Sequence, residues 1–258
     1  MIQTITAQAA QALASQGMVQ LVDATWQMGG ARPARGFLSG TTASVDTKAL
    51  KTLPPGERVR GAPGVFAQSG IGHDTPVCVY DRAGFFSAPW VAWLLASHGH
   101  AVTLVSGNGE EADFPGASPV EPFSSGDALR WHADKDDVLA ALGSDTQIID
   151  ARSPGRFLGH EKEPRQGCRA GHIPGSLNLH YRNVVADGYY IDVEDIAEVA
   201  TRAGVDLARP IITTCGSGVT ASLVAVALSR IGAEDVRVYQ GSWAEWGINV
   251  TLPVEVAA

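Results

Sequence analysis

Two stretches of this chain repeat each other about 130 residues apart, and that repeat limits the folds open to it. Val19-Gln20-Leu21-Val22-Asp23-Ala24 returns as Thr146-Gln147-Ile148-Ile149-Asp150-Ala151, and Pro76-Val77-Cys78-Val79-Tyr80-Asp81 returns as Pro210-Ile211-Ile212-Thr213-Thr214-Cys215. Each copy runs on into an apolar, helix-like stretch closed by glycine, Ala88 to Gly99 and Ala221 to Gly232. Each then ends in a short strand and another glycine, Leu104 to Gly107 and Val238 to Gly241. A period this long means two copies of a domain, not a solenoid. The chain's 258 residues have room for them at roughly 150 residues per domain. The segment from Phe114 to Gly126 is rich in Pro, Ser and Gly and falls between the copies. The expected organisation is a domain over 1–115, a linker over 116–130 and a second domain over 131–258.

Short β-branched runs alternate with amphipathic segments in both copies, which predicts an α/β fold of two tandem domains. Each should be a mainly parallel sheet flanked by helices. Runs such as Gln147 to Ile149 and Pro210 to Ile212 suit strands buried on both faces. Beyond Cys215, apolar residues recur at three and four (Val219, Leu223, Val224, Ala227, Leu228, Ile231), so a helix should begin within a few residues of the cysteine.

Charge removes several classes of partner. Nineteen basic against 27 acidic side chains leave a net charge of −8, which repels phosphate backbones and anionic lipid. Neither nucleic acid nor a membrane surface is an expected partner. The longest apolar stretches are about half the ~20 residues needed to span a bilayer, and the first Lys or Arg is Arg32, late for a targeting segment. The expected compartment is the cytosol. Three cysteines, Cys78, Cys168 and Cys215, are too few and too scattered for a disulfide framework or a zinc site. No metal or cofactor is expected.

Cys215 is the residue with chemistry around it. A strand, then Cys215-Gly216-Ser217-Gly218-Val219-Thr220, then a helix, puts a thiol at a turn whose backbone N–H groups can converge on one point. Glycines at 216 and 218 permit the positive φ values such a nest uses. Those donors and the helix start favour an anion, and so a thiolate. The spacing alone leaves open a second reading, a buried cysteine at a strand end. Phosphoryl and sulfur transfer both use a thiolate cradled by amides. A cysteine phosphatase needs a guanidinium six residues after the cysteine to clamp phosphate; that position is Ala221, and the next arginine is Arg230. A persulfide carries a single charge and needs only N–H donors.

Cys215-Gly216-Ser217-Gly218-Val219-Thr220-Ala221 resembles the active-site loop of the 3-mercaptopyruvate sulfurtransferases, members of the two-domain rhodanese family. The resemblance extends through Asp150-Ala151-Arg152-Ser153, Gly155-Arg156-Phe157, Glu163-Pro164-Arg165, Gly171-His172-Ile173-Pro174-Gly175-Ser176 and Gly241-Ser242-Trp243-Ala244-Glu245-Trp246. It implies two rhodanese-like domains, the first without its own cysteine; Asp81 stands at that place. It also implies that Cys215 takes sulfur from a small-molecule donor as a persulfide, held by the loop Gly216, Ser217, Gly218, Val219 and Thr220. A thiol, a thioredoxin-like protein or cyanide then removes the sulfur. Thiosulfate-using members resemble Cys-Arg-Lys-Gly in this loop, two cations that suit a divalent substrate, whereas Gly216 and Ser217 bring no charge. By the resemblance, Arg156 and Arg165 bind the substrate carboxylate, where a planar fork suits a planar anion. The other reading of both arginines is a surface salt bridge to Glu161, Glu163 or Asp150. His172 belongs by the same resemblance to the domain fold and not to the reaction. Cys78 and Cys168 read as bystanders, with a redox bridge open to Cys168.

The first copy departs from the family. Its amino-terminal domain usually supplies a His and an Asp that form a proton relay with the loop serine, here Ser217. The corresponding stretch reads Arg32-Pro33-Ala34-Arg35 and then Gly40-Thr41-Thr42-Ala43-Ser44, without either residue. Two outcomes compete: a mercaptopyruvate or thiosulfate sulfurtransferase in which Ser217 and water suffice, or a persulfide carrier with little activity of its own. His160, between Arg156 and Arg165, is the candidate replacement proton donor, set against a solvated loop histidine without a role.

Overall fold

The structure is a computed structural model that describes residues 2–26, 41–72, 75–82, 84–106 and 129–256. Arg32 to Arg35 and Gly40, and residues 107–128 with most of the expected linker, lie outside the described residues. The chain divides into two compact units, one of Met1–Arg130 with Asp187–Tyr190, the other of Trp131–Ala186 with Ile191–Ala258.

The first unit is built from β1 (Gln3–Ile5), α1 (Ala7–Ser15), β2 (Gln20–Asp23), β3 (Thr41–Ser44), α2 (Thr47–Thr52), α3 (Arg58–Gln68), β4 (Val77–Tyr80), α4 (Ala88–Ser97) and β5 (Val102–Val105). Its sheet order is β1-β5-β4-β2-β3, with every pairing parallel. The second unit contains β6 (His132–Ala133), α5 (Lys135–Ala141), β7 (Gln147–Asp150), α6 (Pro154–Leu158), β8 (Leu177–Asn178), α7 (Val193–Arg202), β11 (Ile211–Thr214), α8 (Val219–Arg230), β12 (Val236–Tyr239) and α9 (Ser242–Trp246). Its sheet, β6-β12-β11-β7-β8, is again all parallel and repeats the first order strand for strand. A short ribbon of β9 (Val185–Ala186) and β10 (Tyr189–Tyr190) turns at Asp187-Gly188, both left-handed (φ 50° and 84°), the geometry that favours Asp-Gly in tight hairpins.

Every residue of β4, β7 and β11 is buried, as strands covered on both faces require. The helix after Cys215 is less amphipathic than its spacing predicts: all of residues 221–228 are buried, so α8 is packed on all sides. By contrast α7 keeps a polar face and buries Ile196 and Ala200. Asp134 starts α5 with a capping box, its carboxylate accepting the N–H groups of Asp136 and Asp137 while Asp137 accepts that of Asp134. Among the described residues, no helix is long and apolar enough to cross a membrane.

Strand order decides where a site can form. From β7 the chain moves outward to β8, whereas from β11 it moves the opposite way to β12, so the crossover direction reverses between β7 and β11. Loops leaving the carboxyl ends of two such strands part and leave a crevice, the usual ligand position in open parallel sheets. Asp150 to Arg156 follow β7, and Cys215 follows β11.

Candidate active site

At the end of β11 the Cys215 Sγ accepts the N–H of Gly218 at 3.1 Å and that of Ser217 at 3.4 Å. Gly218 has a φ of 88°, and a β-carbon there would meet the Gln240 side-chain oxygen at 2.7 Å and its carbonyl oxygen at 3.0 Å. Gly216 does not share that conformation, contrary to the expectation for the pair. Its missing side chain serves a different purpose: a β-carbon at 216 would stand 3.1 Å from Nη2 of Arg156. Val219 and Thr220 open α8, where helix N–H groups lack intrahelical acceptors.

Arg156 is placed by a short helix with both of its ends marked in sequence. Ser153 caps α6 by accepting the Arg156 N–H at 3.4 Å, Pro154 occupies the first turn, and Gly159 ends the helix in the left-handed conformation. The guanidinium is gripped edge-on by Glu163, with Nε to Oε1 at 3.1 Å and Nη2 to Oε2 at 2.6 Å. Glu163 was one of the partners foreseen by the surface reading, but it is buried. It also accepts Nη1 of Arg152 at 2.9 Å, and Arg152 is locked to both oxygens of Asp150, to the Gly171 carbonyl and over the Trp243 ring at 4.3 Å. Charges alternate along Asp150, Arg152, Glu163 and Arg156, so each buried charge has an opposite neighbour. Sequence reasoning missed this ladder. Its signal was present as acid and base close together after a buried strand, but solvent exposure could not be read from it.

Arg165 and His160 are exposed in the loop after α6, and among the described residues no side-chain hydrogen bond or ion pair joins either to the Cys215 loop. His172 has the structural setting expected of it: buried, Nδ1 2.7 Å from the Phe157 carbonyl and the ring stacked on Phe157 at 3.8 Å. All three cysteines are free. Burial in β4 pushes the Cys78 thiol up to about 12. Cys168, with Sγ 3.7 Å from the Trp243 carbonyl, is also raised, by burial first and then by Glu163, against the opposing charges of Arg165, Arg152 and Arg156. Among the described residues, no cluster of His, Cys, Asp and Glu could hold a metal ion.

At the corresponding strand end of the first unit a carboxylate stands in place of the thiol. Asp81 follows β4, and its oxygens accept the N–H groups of Phe85 at 3.0 Å, Ser87 at 2.8 Å and Ala88 at 2.7 Å. Arg82 pairs with Asp23 at the end of β2, as Arg152 pairs with Asp150 at the end of β7.

The rhodanese-like domain model matches residues 134–249. The chain is 37% identical over 196 residues to the 3-mercaptopyruvate sulfurtransferase of Escherichia coli strain K12, an alignment covering 72% of this chain and 70% of that protein. The chain belongs to the rhodanese family of sulfurtransferases. Among other members, the thiosulfate sulfurtransferase of Cricetulus griseus is 34% identical over 251 residues, 88% of this chain and 84% of that one. The crystal structure of SseA from Escherichia coli, a 3-mercaptopyruvate sulfurtransferase of rhodanese fold, superposes with a TM-score of 0.71 at 25% identity, over 94% of this chain and 99% of the other. The matching sheet orders of the two units here are thus two rhodanese-like domains.

Proposed function

We propose that this sulfurtransferase takes sulfur from 3-mercaptopyruvate onto Cys215 and passes it to a thiol or to cyanide. The reading is carried by the Sγ of Cys215 resting on the amides of Ser217 and Gly218, in a loop that brings no cation of its own and is approached by the Arg156 guanidinium. In the reaction the thiolate attacks the substrate sulfur and an S–S bond forms. The C–S bond breaks, its electron pair leaves with carbon as the enolate of pyruvate, and a proton then completes pyruvate. Backbone N–H groups stabilise the persulfide anion that remains. Arg156, with Arg165 from the following loop, binds the substrate carboxylate. The proton comes from His160, or from Ser217 and water. A small thiol or a thioredoxin-like protein is the acceptor, and the cytosol is the compartment.

The alternating ladder behind Arg156 supports the carboxylate role, because Glu163 engages the Nε and Nη2 edge and holds the side chain over Gly216. The common strand order supports reading the two units as tandem copies, with domains at 1–115 and 131–258 and a linker over 116–130. Thiosulfate is the second donor, favoured by the similarity to a thiosulfate sulfurtransferase over most of the chain. Intact mass after mixing with mercaptopyruvate or, separately, with thiosulfate tests the reading. A gain of one sulfur, lost in Cys215→Ser, is expected with mercaptopyruvate. Loading by thiosulfate alone changes the donor, and loading by neither overturns the assignment.

A further inference from the structure

Ser242 has no place in the reaction above, yet its side chain is hydrogen-bonded to the nucleophile's backbone. It is fully buried and holds a φ of 50°, a left-handed conformation that strains a non-glycine residue. Its Oγ accepts the N–H of Cys215 at 3.2 Å, donates to the Tyr239 carbonyl at 2.7 Å and lies 4.0 Å from the Cys215 Sγ. The turn it makes aims the next two amides back at the same loop: Trp243 N–H reaches the Cys215 carbonyl at 2.9 Å, and Ala244 N–H the Gly216 carbonyl at 3.0 Å. Tyr239 in turn donates its hydroxyl to Glu245 at 2.7 Å, tying α9 to the end of β12.

The cause is tertiary. β12 lies beside β11 in parallel register, so both chains leave the sheet at the same edge. Glycine would adopt the conformation at 242 without strain, and strained residues persist where the surroundings over-determine them, often at functional sites. What serine adds is the hydroxyl. It occupies the amide of Cys215 itself, so that the sulfur faces the amides of Ser217 and Gly218.

We propose that Ser242 is a positioning residue for the nucleophile, its Oγ pinning the Cys215 backbone so that Sγ is held against those two amides. This rests on Cys215 being the sulfur-carrying residue. Substrate binding falls to Arg156, on a different element, so loss of the hydroxyl should slow the chemistry and spare the affinity.

Ser242→Gly tests this, because it deletes the hydroxyl while allowing the same backbone turn. We expect a fall in kcat with mercaptopyruvate of about tenfold or more, the scale of a small misplacement of a reacting group, with KM within about twofold of wild type. Ser242→Ala should lose as much kcat and melt earlier than the Gly variant, since alanine keeps the strain that glycine relieves. Wild-type kcat in a folded Gly variant assigns Ser242 to backbone geometry alone and overturns the proposal. If neither variant folds, hydrogen exchange on the wild-type protein decides: the Cys215 amide should be strongly protected, and exchange as fast as an open loop would refute the bond. Failure of wild-type Cys215 to load sulfur from either donor counts against the function, whereas normal loading of wild type and Gly variant alike counts against this inference only.

Discussion

The Arg156 guanidinium lies across Gly216, with Nη2 3.1 Å and Nη1 3.7 Å from the point a β-carbon at 216 would occupy. Because Glu163 grips Nε and that same Nη2, Arg156 has little room to retreat. Gly216→Ala should therefore displace the guanidinium and raise KM for mercaptopyruvate. Arg156→Ala should do so by about 1.5–3 kcal/mol, the range for a lost bond to a charged group. If Arg156 serves only as the ion-pair partner of buried Glu163, its removal costs stability and leaves KM alone. Steady-state kinetics of both variants separate the cases.

Glu163 is shared by Arg152 and Arg156, and Arg152 is fully buried. Glu163→Gln leaves that buried cation with Asp150 as its one carboxylate, and a destabilisation of about 3 kcal/mol is expected from breaking a buried ion network. Denaturant unfolding followed by tryptophan fluorescence measures it, since Trp243 stacks on Arg152. An unchanged midpoint would show that the ladder contributes nothing net.

The carboxylate of Asp81 gathers the amides of Phe85, Ser87 and Ala88 at the end of β4. Asp81→Asn weakens three amide bonds to a charged acceptor, and a loss of about 1–3 kcal/mol is expected. Persulfide loading of Cys215 should persist, because Asp81 takes no part in the reaction proposed above. Thermal unfolding and intact-mass loading, run on one sample, check the two halves of the claim.

Thiol reactivity should separate the cysteines. With its thiol pushed up to about 12 by burial, Cys78 remains protonated below that pH and unreactive in the folded protein, and Cys168 is raised in the same direction. Iodoacetamide at neutral pH should modify Cys215 first, with Cys168 joining as pH rises and Cys78 reacting only on unfolding. Peptide mapping over time reads the order, and earlier labelling of Cys78 or Cys168 contradicts the amide-nest account.

His160→Gln should lower kcat with mercaptopyruvate about 10²-fold if the imidazole supplies the proton. Sulfur transfer out of an already loaded Cys215 should persist, since it protonates no enolate. A wild-type kcat from about pH 6 to 9 assigns protonation to Ser217 and water.

Much of the fold was legible in the chain because strands and caps are short-range. The buried runs at 77–80, 147–150 and 211–214 announced central parallel strands, and a cysteine followed by glycine and a helix announced the nest. Even the helix α6 that carries Arg156 was marked at both ends, by Ser153-Pro154 and Gly159.

Periodicity says nothing, however, about which strand lies beside which, and the sheet order made the remaining decisions. Placing β12 next to β11 brought Ser242 to the Cys215 amide across 27 residues of sequence. Placing β7 on the other side of β11 brought Arg156 over Gly216, which gave that glycine a steric purpose where the sequence had predicted a conformational one. Burial likewise turned Glu163 from a loop carboxylate into the shared anchor of two arginines, because an acid's solvent exposure depends on what the rest of the chain packs over it.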